Sequence, residues 1–222
     1  MDVAKSMIRH LIVLGHPGPD GFAHTVAATC GDTIRGCGQE PLLRDLYALD
    51  FDPRLRAEER TSAGVAPAEE VKAELEYLRR ADSIILVYPI WFGMPPAIIK
   101  GYVDRVMGAG FAAGNLMPGI AHPLLAGKRL TLVTSSASTK PWLEEQGQWL
   151  GLRQAFDVYL KTIFGLASVD HVHFDAIVEA ASAQYVDQCQ QQVRDALRGL
   201  CSSLLAERRH KRFEQLDHGA AI

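Results

Sequence analysis

SIILVYPIWFGMPPAIIKGYVDRVM, residues 83–107, decides the fold. Its first six residues, Ser83 to Tyr88, are an unbroken apolar run. A strand reads this way when both of its faces are covered, as in a parallel sheet packed between helices. Pro95 and Pro96 then open a helix, because a proline is tolerated in the first turn, where its missing N–H has no partner to lose. From Pro95 to Met107 the apolar spacing is that of an amphipathic helix. Between strand and helix lies a loop, Tyr88 to Pro96, that carries Trp91, Phe92 and Met94.

The same alternation extends in both directions. Upstream, Ile8 to Leu14 (IRHLIVL) reads as a buried strand ended by Gly15-His16-Pro17. Phe22 to Ile34 follows with helical spacing, placing Phe22, Val26, Thr29 and Cys30 on one face. Pro41 to Leu46 is a short second strand, and Asp50 to Ala66 is irregular and charged. Pro67 to Arg80 is a helix with Glu69 and Glu70 near its positive end. Downstream, Gly127-Lys128-Arg129 turns into a strand at Leu130 to Thr134, and Val169 to Phe174 is a weaker fifth strand. Pro141 to Phe164 and Ser182 to Glu207 read as mostly helical. Strands alternating with helices specify βαβ units, hence α/β class with a doubly wound five-stranded parallel sheet and helices on both faces. The expected strand order is the flavodoxin-like 2-1-3-4-5. One domain, residues 1–207, is expected, followed by a basic, loosely ordered tail at 208–222 that begins Arg-Arg-His-Lys-Arg.

Composition narrows the function. The 222-residue chain is 48% apolar and carries a net charge of -3, so it lacks the basic surface that nucleic-acid binding usually needs. No apolar run has the length of a membrane helix, and no export signal is legible at the N-terminus. Cys30, Cys37, Cys189 and Cys201 have no C-x-x-C spacing, which fits reduced thiols in a cytoplasmic protein. His171 and His173 share one face of the fifth strand. With no third ligand in view they read as solvated edge histidines, and no metal site is expected.

In open α/β sheets ligands sit beyond the carboxyl ends of the strands. Three loops leave that edge. Gly15 to Phe22 is rich in glycine and proline and opens a helix whose N–H groups and dipole suit a phosphate. It has neither the G-x-G-x-x-G pattern nor a Walker A loop, and by itself a turn of this composition is more often a structural one. Pro89 to Gly93 exposes Trp91 and Phe92 unless something covers them: a planar ring such as isoalloxazine, a neighbouring helix, or a second subunit. Thr134 to Ser138 is small and hydroxylated, which lets backbone N–H groups approach a ligand or simply makes a polar turn.

With these residues in view, the chain resembles the flavodoxin-like NAD(P)H:quinone oxidoreductases of the DT-diaphorase type, whose relatives include bacterial azoreductases and quinone reductases. The resemblance rests on Tyr88 to Val106, on Asp45-Leu46-Tyr47-Ala48 with Phe51-Asp52-Pro53, on Leu14 to Pro17 with Phe22, and on Gly110-Phe111-Ala112. It implies a flavin (FAD or FMN), NAD(P)H as co-substrate, a quinone or similar aromatic acceptor, and a homodimer with the site at the interface. Carried over by position, it places His16, Gly21, Phe22 and Ala23 along the flavin phosphates and ribityl chain. Pro89, Ile90, Trp91, Phe92 and Gly93 line the ring, and Thr134, Ser135, Ser136 and Ala137 face its pyrimidine edge. Phe111 and Trp142 fall at the substrate pocket, and no catalytic side chain is named. Gly21-Phe22-Ala23 replaces the family's Ser-Phe-Asn, and Thr134 to Ala137 replaces Thr-Thr-Gly-Gly. Ala113 stands where a Tyr is common in the family. Azo and nitro aromatics are alternative acceptors; a non-enzymatic electron carrier or regulatory subunit is the rival class.

Overall fold

A computed structural model describes residues 7–61, 68–109, 124–179 and 181–219. The elements in chain order are β1 (Arg9–Leu14), α1 (Phe22–Gly36), β2 (Glu40–Asp45), α2 (Ala57–Thr61), α3 (Glu69–Arg80) and β3 (Ser83–Pro89). They continue with α4 (Ala97–Tyr102), β4 (Arg129–Ser135), α5 (Lys140–Glu145), α6 (Gln148–Leu152), α7 (Tyr159–Phe164), β5 (Ser168–Phe174) and α8 (Ala183–Gly219). The five strands pair in the order β2-β1-β3-β4-β5, and every pairing is parallel. The flavodoxin-like order expected from the sequence is the order observed.

Side-chain alternation along the central strands builds two cores. Leu11, Val13, Ile84, Leu86, Tyr88, Leu130 and Leu132 face one side, where α3, α4 and the helices after β4 cover them. Ile12, Leu14, Ile85, Val87 and Val133 face the other, under α1 and α8. Ser83 to Tyr88 are all buried, as the continuous apolar run requires.

The structure adjusts four boundaries. The helix opened by Pro95 and Pro96 starts at Ala97 and widens into a π-turn at Val103–Met107. The helical stretch between β4 and β5 is broken at Gly147, whose φ is +69°, and widens again at Arg153–Val158. A short helix, α2, sits in the segment read as irregular. Finally α8 runs unbroken from Ala183 to Gly219, so the domain limit drawn at 207/208 falls inside a helix.

The stretch that carries the family resemblance is anchored by packing. A Cβ on Gly101 would collide with the Pro53 carbonyl oxygen, so only glycine lets α4 press against that backbone. One turn later Arg105 is fully buried and forks onto Glu59, with Nε 2.8 Å from Oε2 and Nη2 2.6 Å from Oε1. Its Nη1 lies 2.7 Å from Glu70 Oε1 and donates to the Asp52 carbonyl. The K-G-Y-V-D-R stretch therefore fastens Asp52, Pro53, Glu59 and Glu70 to the sheet.

Candidate functional site at the carboxyl edge of the sheet

The parallel register brings three loops to one edge. Leu14 pairs with Asp45 and Val87, and Pro89 pairs with Ser135, so the segments after β1, β3 and β4 leave side by side.

The first loop delivers an open helix end. Gly21 is the N-cap of α1; no side chain caps the helix, and its first turn holds no acidic residue. Phe22 and Ala23 begin the helix, with Ala23 buried and the Phe22 ring edge-on to Phe174 at 5.7 Å. Uncapped N–H groups and an unopposed dipole favour an anion there. His16 closes over this loop: a Cβ on Gly21 would meet its Cε1 at 2.9 Å. Its Nδ1 lies 3.1 Å from both the amide nitrogen and the carbonyl oxygen of Gly18.

Next comes a two-residue hairpin. Trp91 and Met94 exchange both backbone bonds, at 3.0 and 3.1 Å. Phe92 and Gly93 occupy the central positions with φ of +50° and +78°. Positive φ at both positions makes a type I′ turn, for which glycine suits the second place and phenylalanine is an unfavourable first. A non-glycine residue held there costs on the order of 1 kcal/mol. Phe92 is nonetheless fully exposed, and Trp91 and Met94 are also exposed. The hairpin thus combines a strained backbone with exposed aromatic area. Behind it Ile90 is buried, and its N–H donates to the Ser135 carbonyl at 2.7 Å, tying the hairpin to β4. Pro89 ends β3 beside Ser135.

The third loop, Thr134 to Ser138, leaves directly from the end of β4. Ser135 and Ser136 are buried and Ala137 is exposed. Thr134 turns its hydroxyl beneath the sheet edge, 2.7 Å from His171 Nε2 and 2.8 Å from His173 Nδ1. Ser136 Oγ donates to the Ser138 carbonyl at 2.7 Å and sits 3.1 Å from His173 Nε2. The reading of His171 and His173 as solvated is therefore wrong. The His171 side chain is only 2% exposed and pairs with Asp157 at 2.7 Å. Trp149 covers both imidazoles, at ring distances of 5.0 and 4.8 Å. Burial first, and the neighbouring His171 second, hold the His173 pKa down to about 4.

One further residue escapes the sequence reading. His24, on the first turn of α1, stands edge-on to His16 at 5.8 Å, and its Nε2 lies 3.2 Å from Asp45 Oδ2. Its Nδ1 is buried with no hydrogen-bond partner among the described residues. His16 in turn lies 6.4 Å from the Trp91 ring, joining the first two loops. One available signal was spacing, since His24 follows the Gly21 cap by three residues and must lie over the helix end. Trp142 is exposed on α5, and Phe111 lies outside the described residues. Between these loops Phe22, Val87, Ser135 and Phe174 line a shallow dent with no room even for a water molecule. Drug-sized ligands usually occupy at least about 300 Å³, so a larger planar ligand would lie over this edge and need a further wall. Among the described residues no group of three metal-ligating side chains is present, and no helix is long and apolar enough to cross a membrane.

Comparison with known proteins places this edge in context. Residues 8–198 match a family model described as a flavodoxin-like fold. An NAD(P)H oxidoreductase of Haemophilus influenzae is 31% identical over 171 residues, covering 76% of this chain and 82% of that protein. The ribosyldihydronicotinamide dehydrogenase [quinone] of Homo sapiens is 28% identical over 156 residues, covering 62% of this chain and 67% of its own. Among solved structures, an NAD(P)H:quinone oxidoreductase from Methanothermobacter marburgensis superposes with a TM-score of 0.75 at 22% identity, over 88% of this chain and 100% of that one. An FMN-dependent NADH-azoreductase from Bacillus anthracis, in complex with FMN, gives a TM-score of 0.63 at 13% identity, over 88% and 100%. These two structural likenesses are of fold. Matched over most of its length, the chain belongs to the flavodoxin-like family of NAD(P)H oxidoreductases.

Proposed function

We propose that this protein is a flavin-dependent oxidoreductase that passes hydride from NAD(P)H to a quinone or similar aromatic acceptor. One observation carries the reading: an uncapped helix end and a strained, exposed aromatic hairpin lie side by side at the carboxyl edge of the sheet. The residues present fit a flavin. The N-terminus of α1 with Gly21, Phe22, Ala23 and His16 suits its phosphate. Pro89 to Gly93 offers apolar cover for the ring. Backbone groups of Ser135, Ser136 and Ala137 suit the polar pyrimidine edge. The bound flavin would accept and release hydride, and the protein's part is to hold it, orient both substrates and exclude water.

The exposed Trp91, Phe92 and Met94 supply the apolar area that a second copy of the chain would cover, which supports a homodimer with each site completed across the interface. Four unlinked cysteines support a reducing, cytoplasmic setting.

The direct test is spectral. Protein incubated with FMN or FAD and then desalted is expected to keep a flavin spectrum, to bleach with NAD(P)H and to recolour with menadione. Flavin released by denaturation and separated by chromatography would distinguish FMN from FAD. An acceptor series of quinones, azo dyes and nitroaromatics would rank the substrate class. Protein that retains neither flavin would remove the proposal.

A second test addresses the hairpin. Asparagine tolerates positive φ, so Gly93→Asn keeps the turn while adding a side chain beside Gln148, whose Oε1 lies 3.6 Å from the Cβ position. We expect flavin affinity to fall about tenfold, or about 1.4 kcal/mol. Gly127→Asn is the matched control, with φ of +77° and open space around it at the amino edge. It should bind flavin as wild type does; equal binding by both variants would show that residues 89–93 do not meet the ring.

A further inference from the structure

Two cysteines meet where the end of α1 touches α8. Cys37 caps the carboxyl end of α1, and its N–H donates to the Thr33 and Ile34 carbonyls at 3.0 and 3.1 Å. Cys201 belongs to α8 and is buried in the core that holds Ile34 and Leu197; Cys37 packs against the same core from its rim. The two thiols are hydrogen-bond partners.

The backbones that carry these sulfurs are fastened to each other. Gln39, two residues after Cys37, donates from Nε2 to the Cys201 carbonyl at 3.0 Å. Its Oε1 meets His10 Nε2 at 2.6 Å, and His10 Nδ1 meets Ser83 Oγ at 2.7 Å. His10 Nε2 also lies 3.8 Å from Cys201 Sγ, so the buried thiol sits in a fixed frame reaching back to β1 and β3. The four cysteines differ in access. Cys30, Cys189 and Cys201 are buried, and Cys37 is half-buried. An oxidant in solution therefore reaches the pair through Cys37.

We infer that Cys37 and Cys201 form an oxidant-sensitive clasp: a hydroperoxide oxidises Cys37, and Cys201 closes a disulfide that pins α8 to α1. In the first step Cys37, as its thiolate, attacks the hydroperoxide. An S–O bond forms and the O–O bond breaks. The departing oxygen takes up the proton that Cys37 gave up and leaves as water or an alcohol, and Cys37 is left as a sulfenic acid. In the second step the Cys201 sulfur attacks the Cys37 sulfur. The S–S bond forms, the S–O bond breaks, and hydroxide leaves with the Cys201 proton as water. Two thiols have lost two electrons, and the hydroperoxide has gained them. A dithiol returns two electrons and two protons by exchange and reopens the clasp. The closed loop takes in β2 to β5, so the crosslink restricts the unfolded chain over most of its length. The clasp needs neither flavin nor acceptor and stands apart from the oxidoreductase reading.

The test uses the whole protein without added flavin. Reduced protein treated with a small excess of hydrogen peroxide is expected to lose two hydrogens in intact mass. Peptide mapping without reductant should join the Cys37 and Cys201 peptides. Oxidised protein should unfold about 5 °C or more above reduced protein, and dithiothreitol should restore the lower midpoint. Cys201→Ser should stop at the sulfenic acid, which dimedone captures at Cys37. Cys37→Ser should give neither a disulfide nor an adduct at Cys201, and Cys189→Ala should close the clasp as wild type does. Wild-type protein whose Cys37 and Cys201 both remain alkylatable after peroxide and denaturation would overturn the clasp. So would a Cys37 that joins Cys30 or a second chain instead. A Cys37–Cys201 bond that left the unfolding midpoint unchanged would overturn the pinning of α8.

Discussion

Arg105→Met is expected to lower the unfolding free energy by about 3 kcal/mol, read as a shift in urea midpoint at unchanged slope. The guanidinium is fully buried and forked onto Glu59, whose side chain is only 10% exposed. Methionine fills similar volume, so a cavity contributes little; the cost comes from leaving the Glu59 carboxylate without its cation. Glu70 is more exposed and can turn into water, so it adds less. Arg105 also lies over the Phe51 ring at 5.3 Å. Adding Glu59→Leu to Arg105→Met should recover much of the loss, since removing both partners of a buried pair is often near neutral. A single-variant loss under 1 kcal/mol would show that Asp52, Pro53 and Glu59 are held by the Gly101–Pro53 contact and apolar packing alone.

Acid should loosen the fold through His173. Free imidazole titrates near pH 6.5, whereas burial and then His171 bring His173 down to about 4. Between those values the unfolded chain binds a proton that the folded chain refuses. The contribution of His173 is therefore fully present above pH 6.5 and is lost as pH falls towards 4. Allowing for partial solvent screening, the loss is on the order of 2 kcal/mol. His10, also depressed by burial, between Ser83 and Gln39, acts in the same direction. Urea midpoints for wild type and His173→Gln across pH 7 to 4.5 should show a shallower decline in the variant, with His10 accounting for a residual slope. Parallel curves would assign the acid sensitivity to His10 and the carboxylates instead.

What the sequence made legible was periodic or compositional. Ser83 to Tyr88 announced a doubly covered strand because apolar continuity is itself the consequence of burial on both faces. The alternation on either side then fixed the strand order. The three loops were visible because glycine, proline, exposed aromatics and clustered hydroxyls are uncommon in company at strand ends. What escaped reading depends on distant partners. His171 and His173 lie on an edge strand, and only the roof supplied by Trp149 and the π-turn at Arg153–Val158 makes them interior. The role of Gly101 depends on a residue 48 positions earlier, Pro53. Phe92 gave no sign of a left-handed backbone, since nothing in a Phe-Gly pair demands it as Asn-Gly does. The length of α8 was underestimated because a basic stretch on a solvated helix looks the same as a loose tail.

The position of α8 has a consequence for how the chain is made. Cys189, Val193, Leu197 and Leu200 complete the core over Ile12, Ile85 and Val133, and α1 is their main helical neighbour. On a ribosome those residues emerge after every strand has been synthesised. Until then α1 alone covers that side of the nascent sheet, and the part of the apolar row that α8 buries faces water. Cooperative closure must therefore wait for α8, and stalled or truncated chains ending before about residue 190 should be the species that chaperones hold.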